Sequence, residues 1–431
     1  MTTVAWQQFK LGDLLEFKHG YAFKGEFFSG EGEFVLLTPG NFCEDGGLKL
    51  KGEKEKYYTG EIPAEFVLRK GDLLVAMTDL TQNAPILGSP AFVPEDGRFL
   101  HNQRLGKVTN LCHDEIIPEF LFYLFNTATV RGQIKGSASG ATVRHTSPSR
   151  LYEVSVKIPP LLLQRQIAGI LSAYDDLIEN NQRRIKTLEE MARSLYREWF
   201  VHFRFPGHDK VKMVSSPLGP IPEGWTDVTL KDVTSKIGSG ATPRGGKEAY
   251  KTEGISLIRS LNVYDYCFEF SNLAFIDESQ AAELVNVTVT TRDILLNITG
   301  ASVARCCMVP SYLMPARVNQ HVAIVRSDPG RADPHYVLDS INSDQNKQQL
   351  LALAQGGATR EALTKETIEN FPIMLPPRPL LDKYAKCAGA FHAQRETLEC
   401  QAQNLRCTRD LLLPRLLSGE LRMKGMPVLE R

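Results

Sequence analysis

The chain repeats one plan twice, and this repeat limits the folds that it can adopt. Five sequence blocks recur in the same order, with the second copy displaced by 217 to 221 residues. Trp6 and Trp225 open the two copies, and Asn102-Gln103 recurs as Asn319-Gln320. Because short apolar runs rarely recur in one order by chance, we expect two similar domains. A chain of 431 residues is long enough for each domain to bury its own core.

The first part of each copy reads as a mixed α/β domain. FVLLTPGNF at 34–42 matches ISLIRSLNV at 255–263, KGDLLVAMT at 70–78 matches TRDILLNIT at 291–299, and SGATVR at 139–144 matches GGATRE at 356–361. These β-rich runs are separated by Gly, Pro, Asn and Asp. Helices that open on a proline are predicted at 118–134 and 334–353. We therefore expect α/β domains over 1–160 and 225–377.

The second part of each copy is a predicted long helix, over 161–205 and again over 378–421. Apolar residues follow an alternating spacing of four and three, which is typical of a helix that packs along another helix. The first seam is Ile167, Leu171, Tyr174, Ile178, Asn181, Ile185, Leu188, Ala192, Leu195 and Trp199. The second seam is Tyr384, Ala388, Phe391, Arg395, Leu398, Ala402, Leu405, Arg409, Leu412 and Leu416.

Because a single helix cannot bury its own seam, we expect the two helices to pair with each other. Pairing within one chain is favoured over a homodimer, since one chain holds both seams. An antiparallel coiled coil would relate the two α/β domains by a pseudo-twofold axis. Residues 206–224 are rich in Pro and Gly and are predicted to be an extended, non-helical linker, and 422–431 a C-terminal tail.

Composition and charge narrow the function classes. Lys and Arg total 50, as do Asp and Glu, which excludes a globally basic DNA-coating protein. Residues 1–160 hold 17 basic and 19 acidic groups, and 225–377 hold 14 and 17. We expect a cytoplasmic protein with reduced cysteines, because no secretory signal, membrane span or Cys-x-x-Cys pair is visible.

Local loops nevertheless carry side chains that suit DNA recognition. Arg and Lys read guanine edges, Asn and Gln read adenine, and the backbone amides of glycine loops bind phosphates. Either these loops bind DNA or a basic partner supplies the affinity for phosphate. The candidates are Lys18, His19, Tyr21, Lys24, Asn41, Asn102, Gln103, Arg104, Arg144, Ser239, Thr242, Arg244, Lys247, Arg259, Asn262, Asn319, Gln320, His321 and Arg360.

A search for catalytic or metal-binding motifs identifies none. GATPRGGKE at 240–248 lacks the Gly-Lys-Ser/Thr ending of a phosphate-binding loop. The Pro-Pro pairs at 159–160 and 376–377 lack the Asn or Asp and the aromatic ring of an amino-methyltransferase loop. We therefore predict a reader and scaffold with no catalytic residue, no metal site and no cofactor of its own.

Several tracts resemble the specificity subunits of Type I restriction–modification systems. PPLLLQRQIAGILSAYDDLIENNQRRIKTLEEMARSLYREWFVHFRFPG at 159–207 is similar to the family's first central conserved region. SPLGPIPEGW at 216–225 and LLLPRLLSGEL at 411–421 are also similar, although LLLQ at 161–164 stands where many members carry acidic residues. The resemblance covers nearly the whole chain.

The resemblance implies two target-recognition domains, each reading one half of a split site in double-stranded DNA. It implies that the helices set the spacing and dock two methyltransferase (modification) subunits, and that restriction motor-nuclease subunits join the complex. S-adenosylmethionine, ATP and magnesium would bind those partners. The alternatives are a specificity chain of a related system, an enzyme with a fused recognition domain, and a coiled-coil scaffold that does not bind DNA.

Overall fold

The computed structural model describes residues 6–216, 219–355 and 361–421. The chain divides into two compact units. The first unit takes the residues up to Glu179 and those from Ala402 onward, and the second takes Asn180–Gln401. Each unit thus combines one α/β domain with one part of each long helix.

The first unit contains two four-stranded sheets. Its strands are β1 (Gln7–Lys10), β2 (Glu16–His19), β3 (Phe28–Ser29), β4 (Phe34–Leu36), β5 (Tyr57–Tyr58), β6 (Leu73–Ala76), β7 (Thr78–Asp79), β8 (Pro90–Phe92), β9 (Phe99–Leu100), β10 (Leu105–Thr109), β11 (Arg144–His145) and β12 (Ser155–Ile158). One sheet has the order β2-β10-β6-β8 and is antiparallel. The other has the order β3-β5-β4-β9, with β4 and β9 parallel. β1 pairs with β12, and β7 pairs with β11.

The helices of the first unit are α1 (Leu11–Leu14), α2 (Pro118–Phe125), α3 (Ala128–Ser137), α4 (Pro148–Tyr152) and the first part of α5 (Leu161–Tyr196). The prediction of a single helix at 118–134 is wrong, because the helix is interrupted after α2. Thr127 caps α3 there by accepting a hydrogen bond from the Val130 N–H.

The second unit repeats the strand topology of the first. Its strands are β13 (Met213–Ser216), β14 (Gly219–Pro222), β15 (Thr226–Thr229), β16 (Thr234–Ser239), β17 (Ile255–Ile258), β18 (Ala274–Ile276), β19 (Ile294–Asn297), β20 (Cys306–Met308), β21 (Ala316–Val318), β22 (Val322–Ser327) and β23 (Pro372–Leu375). The sheet β16-β22-β19-β20 corresponds to β2-β10-β6-β8, and β15–β23 corresponds to β1–β12. β17 pairs in parallel with β21, as β4 does with β9.

The helices of the second unit are α6 (Glu278–Glu283), α7 (Pro334–Asn342), α8 (Asp344–Gln355), α9 (Lys365–Glu369) and most of α10 (Arg378–Leu417). The helix predicted at 334–353 is also two helices, which meet at Ser343 in an extended conformation. The prediction of two mixed α/β domains is confirmed.

Inside each unit α5 and α10 run in opposite directions. In the first unit Ile167 and Leu171 of α5 share a core cluster with Leu416 of α10, and Asp175 bonds Arg409 at 2.6 Å. In the second unit Glu189 lies 3.9 Å from Arg395. The ring of Trp199, in the π-helical segment Arg197–Val201 that continues α5, lies 6.0 Å from the Tyr384 ring. Residues later in α5 therefore meet residues earlier in α10. The predicted antiparallel pairing within one chain is confirmed.

The linker at 206–224 has more structure than we predict from its composition. A short 3₁₀ turn spans His208–Lys210, and β13 and β14 form an antiparallel hairpin. The expectation of a non-helical segment is thus wrong over that turn. Ile221 and Trp225 are buried in the core of the second unit, together with Phe200 and Phe205. This segment therefore packs as part of the second unit.

Among the described residues no helix is both long enough and apolar enough to cross a membrane. All eight cysteines are free thiols, and burial raises the pKa of Cys267 to about 11. The C-terminal tail predicted at 422–431 lies outside the described residues.

Candidate DNA interface

Four segments of the first unit meet along one margin of its antiparallel sheet. Tyr21 N–H donates to His101 O at 2.8 Å, and Gln103 N–H donates back to Tyr21 O at 3.0 Å. Met77 N–H donates to Arg104 O, and Thr146 N–H donates to Met77 O, both at 3.0 Å. We call residues 18–24, 77–79, 101–104 and 139–146 the first edge.

The second unit builds the same margin from the matching repeat blocks. Ala241 N–H donates to Val318 O at 3.1 Å, and Ile298 N–H donates to His321 O at 3.0 Å. Leu363 N–H then donates to Ile298 O at 2.9 Å. We call residues 238–247, 298–300, 319–321 and 361–363 the second edge. The structure therefore brings these loops together in space, whereas the sequence repeat shows only that they occur in the same order in both copies.

One glycine in each edge is required by close backbone packing. A Cβ atom at Gly20 would lie 2.2 Å from Asn102 O, and one at Gly240 would lie 2.1 Å from Val318 O. Neither glycine has a positive φ, so space and not conformation excludes a side chain. These contacts set how closely the first loop of each edge approaches the turn at 101–104 or 319–321.

The edges carry more positive charge than the domains around them. The first edge holds Lys18, Lys24, Arg104 and Arg144 against Asp79, which is buried. The second edge holds Arg244 and Lys247 against Glu361. Both edges are therefore locally basic although each whole domain is slightly acidic, which suits contact with phosphates.

Most predicted contact residues of the first edge reach solvent. His19, Tyr21, Lys24, Gln103 and Arg104 are exposed. Lys18 is half-buried, pairs with Glu65 at 2.5 Å and lies 5.0 Å from the centre of the Phe66 ring.

In the second edge Ser239, Thr242, Arg244, Lys247 and Gln320 are exposed, and His321 is half-buried. His321 Nδ1 lies 2.7 Å from the Thr299 hydroxyl, as His145 Nδ1 lies 3.0 Å from the Thr78 hydroxyl in the first edge. The equivalent threonine of each edge thus pairs with a histidine, but the histidine comes from a different segment in each edge. The two edges also present different side chains to solvent.

The structure gives two predicted base readers an internal role. Asn41 and Asn262 are 1% and 0% exposed, and the Oδ1 of each accepts a backbone N–H at 3.0 Å, from Thr38 and Arg259. Each asparagine caps a tight turn. Contact with a base requires exposure, so we remove both from the interface.

Two other candidates, Asn102 and Asn319, make hydrogen bonds within the protein. Asn102 Oδ1 accepts the Arg104 N–H at 2.9 Å, and Asn319 Oδ1 accepts the His321 N–H at 3.1 Å. Both asparagines therefore shape the turn that presents the next two side chains.

The two remaining arginines that the structure describes anchor loops. Arg144 donates to Gly140 O at 3.3 Å and to Lys135 O at 2.9 Å. Arg259 donates to Asn272 O and lies 5.2 Å from the centre of the Tyr250 ring. Arg360 lies outside the described residues.

Comparison with known proteins identifies the family. A family model described as "Type I restriction modification DNA specificity domain" matches residues 3–190. The MjaIX Type I restriction enzyme specificity subunit of Methanocaldococcus jannaschii is 30% identical over 73% of this chain and 71% of its own length. The chain belongs to the family of Type I restriction enzyme specificity subunits.

Two further comparisons extend over nearly the full length. The HindI specificity subunit of Haemophilus influenzae is 23% identical over 96% of this chain and 99% of its own. The crystal structure of a Type I restriction–modification S subunit from M. genitalium covers 96% of this chain and 97% of its own, with a TM-score of 0.63 and 15% identity. That similarity shows a shared fold. Sequence similarity to a specificity subunit thus extends over 96% of this chain.

In this specificity subunit both helix seams are buried or half-buried. In the first seam this holds for Ile167, Leu171, Tyr174, Ile178, Asn181, Ile185, Leu188, Ala192, Leu195 and Trp199. In the second it holds for Tyr384, Ala388, Phe391, Arg395, Leu398, Ala402, Leu405, Arg409, Leu412 and Leu416. Arg395 donates to Tyr266 O at 2.6 Å, and Arg409 bonds Asp175 at 2.6 Å, so both seam arginines have partners.

Sequence reasoning missed a loop that leaves the first edge after β7. The β6–β8 connection is five residues longer than the β19–β20 connection, and the repeat offset drops from 221 to 216 across it. That drop was the signal in the sequence. The loop exposes Leu80, Thr81, Gln82 and Asn83.

Sequence reasoning also missed the exposed rings of Phe27 and Phe28, which pack on Tyr58 beside the first edge.

Within the described ranges no group of three or more His, Cys, Asp or Glu side chains is placed to hold a metal ion.

Proposed function

We propose that this chain is the DNA-specificity subunit of a Type I restriction–modification complex and that each unit reads one half of a split, asymmetric site in double-stranded DNA. The observation that carries the proposal is the pair of edges. Three of the backbone hydrogen bonds that form each edge are equivalent, whereas the exposed side chains of the two edges differ. A shared framework with different side chains suits two readers of different base sequences.

The exposed side chains support direct reading of bases. Gln103 and Arg104 of the first edge follow a turn that Asn102 fixes, and Gln320 follows the equivalent residue of the second edge. Gln suits adenine and Arg suits guanine in the major groove. Basic side chains such as Lys24 and Lys247 are exposed nearby for phosphates.

The paired helices serve in this proposal as the spacer and as the docking surface for two modification subunits. The apolar side chains that α5 and α10 leave exposed are contacts that such docking would cover: Leu162, Leu177, Met191 and Leu411. Restriction motor-nuclease subunits complete the complex in the cytoplasm. S-adenosylmethionine, ATP and magnesium bind those partners, and this chain recognises DNA without catalysing a reaction.

The test is sequencing of methylated bases in cells that carry the modification subunits with and without this chain. We expect a split, asymmetric methylated motif that disappears without the chain. Purified wild-type complex should bind a duplex with that motif more tightly than one with a scrambled motif. A motif that persists without the chain, or equal binding of both duplexes, would refute the proposed function.

Single substitutions separate the two halves. Gln103→Ala should relax one half of the motif and Gln320→Ala the other, with a loss of discrimination of about tenfold at one base pair. Arg150→Ala provides the control, because Arg150 is exposed on α4 of the first unit and does not belong to the first edge. The control should leave the motif unchanged.

A further inference from the structure

The longer loop of the first unit starts at the first edge and has no counterpart of the same length in the second unit. The loop connects β6 to β8 and continues from β7. In the antiparallel pairing of β7 with β11, Asp79 lies opposite Arg144. The Thr78 hydroxyl lies 3.0 Å from His145 Nδ1. These bonds place the start of the loop on the first edge. In the second unit the shorter connection leads through Gly300–Ser302, a 3₁₀ turn of small residues.

The loop is held in one shape by a buried carboxylate. Asp79 is 2% exposed. Its Oδ1 accepts hydrogen bonds from the N–H and the hydroxyl of Thr81, and its Oδ2 accepts one from the Ile86 N–H, all at 2.8 Å. Further along, Leu87 O accepts a hydrogen bond from the Arg131 guanidinium at 2.6 Å. A loop fixed at both ends loses little conformational entropy when it binds.

The fixed loop presents three side chains with complementary chemistry. Leu80 is 59% exposed, and Gln82 and Asn83 are exposed amides. An Asn or Gln amide can donate to adenine N7 and accept from adenine N6, which is the bidentate contact of the major groove. An apolar side chain can pack against the thymine methyl group. An A·T pair offers both partners together.

We propose that residues 80–83 read an A·T base pair in the half-site of the first unit, with the Gln82 amide on N6 and N7 of adenine, the exposed Asn83 amide beside it, and Leu80 facing the thymine methyl. Asp79 acts as a positioning residue that holds the loop. This inference rests on the proposed function and deepens it, since it names the base pair that one element of the first unit recognises. The second unit has no equivalent loop, so the effect is confined to one half of the motif.

The experiment uses the full chain together with its modification subunits and sequences the methylated bases. The double variant Gln82→Ala/Asn83→Ala should lose about tenfold or more of its discrimination at one A·T position of one half, while the other half stays unchanged. Leu80→Ala should weaken the preference for thymine at the same pair. Gln82→Glu should move the preference toward cytosine, because a carboxylate accepts from cytosine N4.

Gln8→Ala is the matched control, because Gln8 is an exposed amide on β1 and pairs with Lys157, away from the first edge. Gln82→Glu and Asn83→Asp keep the size of the side chains, so they test the loop even where the double variant fails to fold. A folded variant that keeps every position of the motif, or relaxes only a G·C position, would overturn the inference while the wild-type motif upholds the proposed function. A wild-type chain without any motif would overturn both.

Discussion

The two units use one framework to present two different surfaces. Tyr21 of the first edge is exposed beside the turn at 101–104, whereas the equivalent residue of the second edge is Ala241. Arg104 of the first edge likewise corresponds to His321. The bonds that hold these positions join backbone atoms, so they do not depend on side-chain identity. Side chains at an edge can therefore change while the backbone hydrogen bonds that form the edge are kept.

The units also differ where a domain helix meets a long helix. In the first unit the Tyr123 hydroxyl donates to Asp175 at 2.6 Å, and Arg409 bonds the other carboxylate oxygen at 2.6 Å. In the second unit the carboxylate is Asp339, at the position of Tyr123, and Tyr384 donates to it at 2.5 Å.

His392 occupies the position of Asp175 in the second unit, and its Nε2 lies 3.6 Å from Asp339. Asp339 is 0% exposed, and its Oδ1 has no hydrogen-bond partner among the residues that the structure describes. The same joint is therefore an ion pair in one unit, whereas in the other it is a buried carboxylate that faces tyrosine and histidine side chains and no arginine within ion-pair distance among the described residues.

The largest effect is expected at the close backbone contacts that the edges share. Gly20→Ala and Gly240→Ala should each lower the free energy of unfolding by about 3 kcal/mol, because a Cβ atom would overlap a carbonyl oxygen. Urea denaturation measures this loss. Gly238→Ala is the control, since a Cβ at Gly238 has open space. A small loss at Gly20 and a large one at Gly240 would break the equivalence of the two edges.

The next effect separates the two joints. Tyr384→Phe should cost about 3 kcal/mol, since it removes the hydroxyl that donates at 2.5 Å to the buried Asp339 carboxylate. Tyr123→Phe should cost about 1 kcal/mol, because Arg409 still pairs with Asp175. Denaturation curves of the two variants give the comparison. Equal losses would show that the difference in carboxylate partners has no energetic consequence.

Acid should weaken both units through buried histidines. Burial lowers the pKa of His101 to about 4 and that of His335 to about 3. The unfolded chain therefore binds more protons than the folded chain below about pH 6.5, and stability falls as the pH falls through that range.

We expect each histidine to cost about 2 kcal/mol between pH 7 and pH 5. His101→Gln should remove the loss of stability between pH 7 and pH 5 that His101 causes in the first unit. Denaturation at both pH values measures this change. An unchanged pH dependence in this variant would contradict the expected role of His101.

The smallest effect concerns an exposed cation of the second edge. Arg244 lies 3.4 Å from Glu283, but its side chain is 87% exposed, so Arg244→Gln should hardly change stability. If Arg244 contacts a phosphate, the salt dependence of DNA binding by the complex should fall by about one unit of slope. An unchanged slope would remove Arg244 from the interface.

Regular patterns in the sequence predict the framework well. Two repeat blocks predict similar α/β domains because they form equivalent strands, β4 and β17 from one block and β6 and β19 from the other. The seams predict that the long helices are packed along their length, because an apolar stripe has to be covered, and in the structure both the partner helix and the α/β domains cover it. The breaks at Thr127 and Ser343 were missed, since hydrophobic periodicity continues across a single capping residue.

Side-chain roles at the edges were harder to predict. Asn41 and Asn262 recur in the repeat as base readers would, yet they recur because each caps the same turn. The loop after Asp79 was overlooked because it interrupts the repeat. Features that the two copies share thus report the framework, and features that only one copy has point to what that copy reads.

Exchange of one domain tests directly whether each unit reads its own half of the site. Residues 1–160 would be replaced by the first domain of a family member with a known motif, and methylated bases would be sequenced in cells with the cognate modification subunits. The account predicts that one half of the motif changes to that of the donor while the other half and the spacing stay the same. A change in both halves, or in neither, in an exchanged chain that still assembles would contradict it.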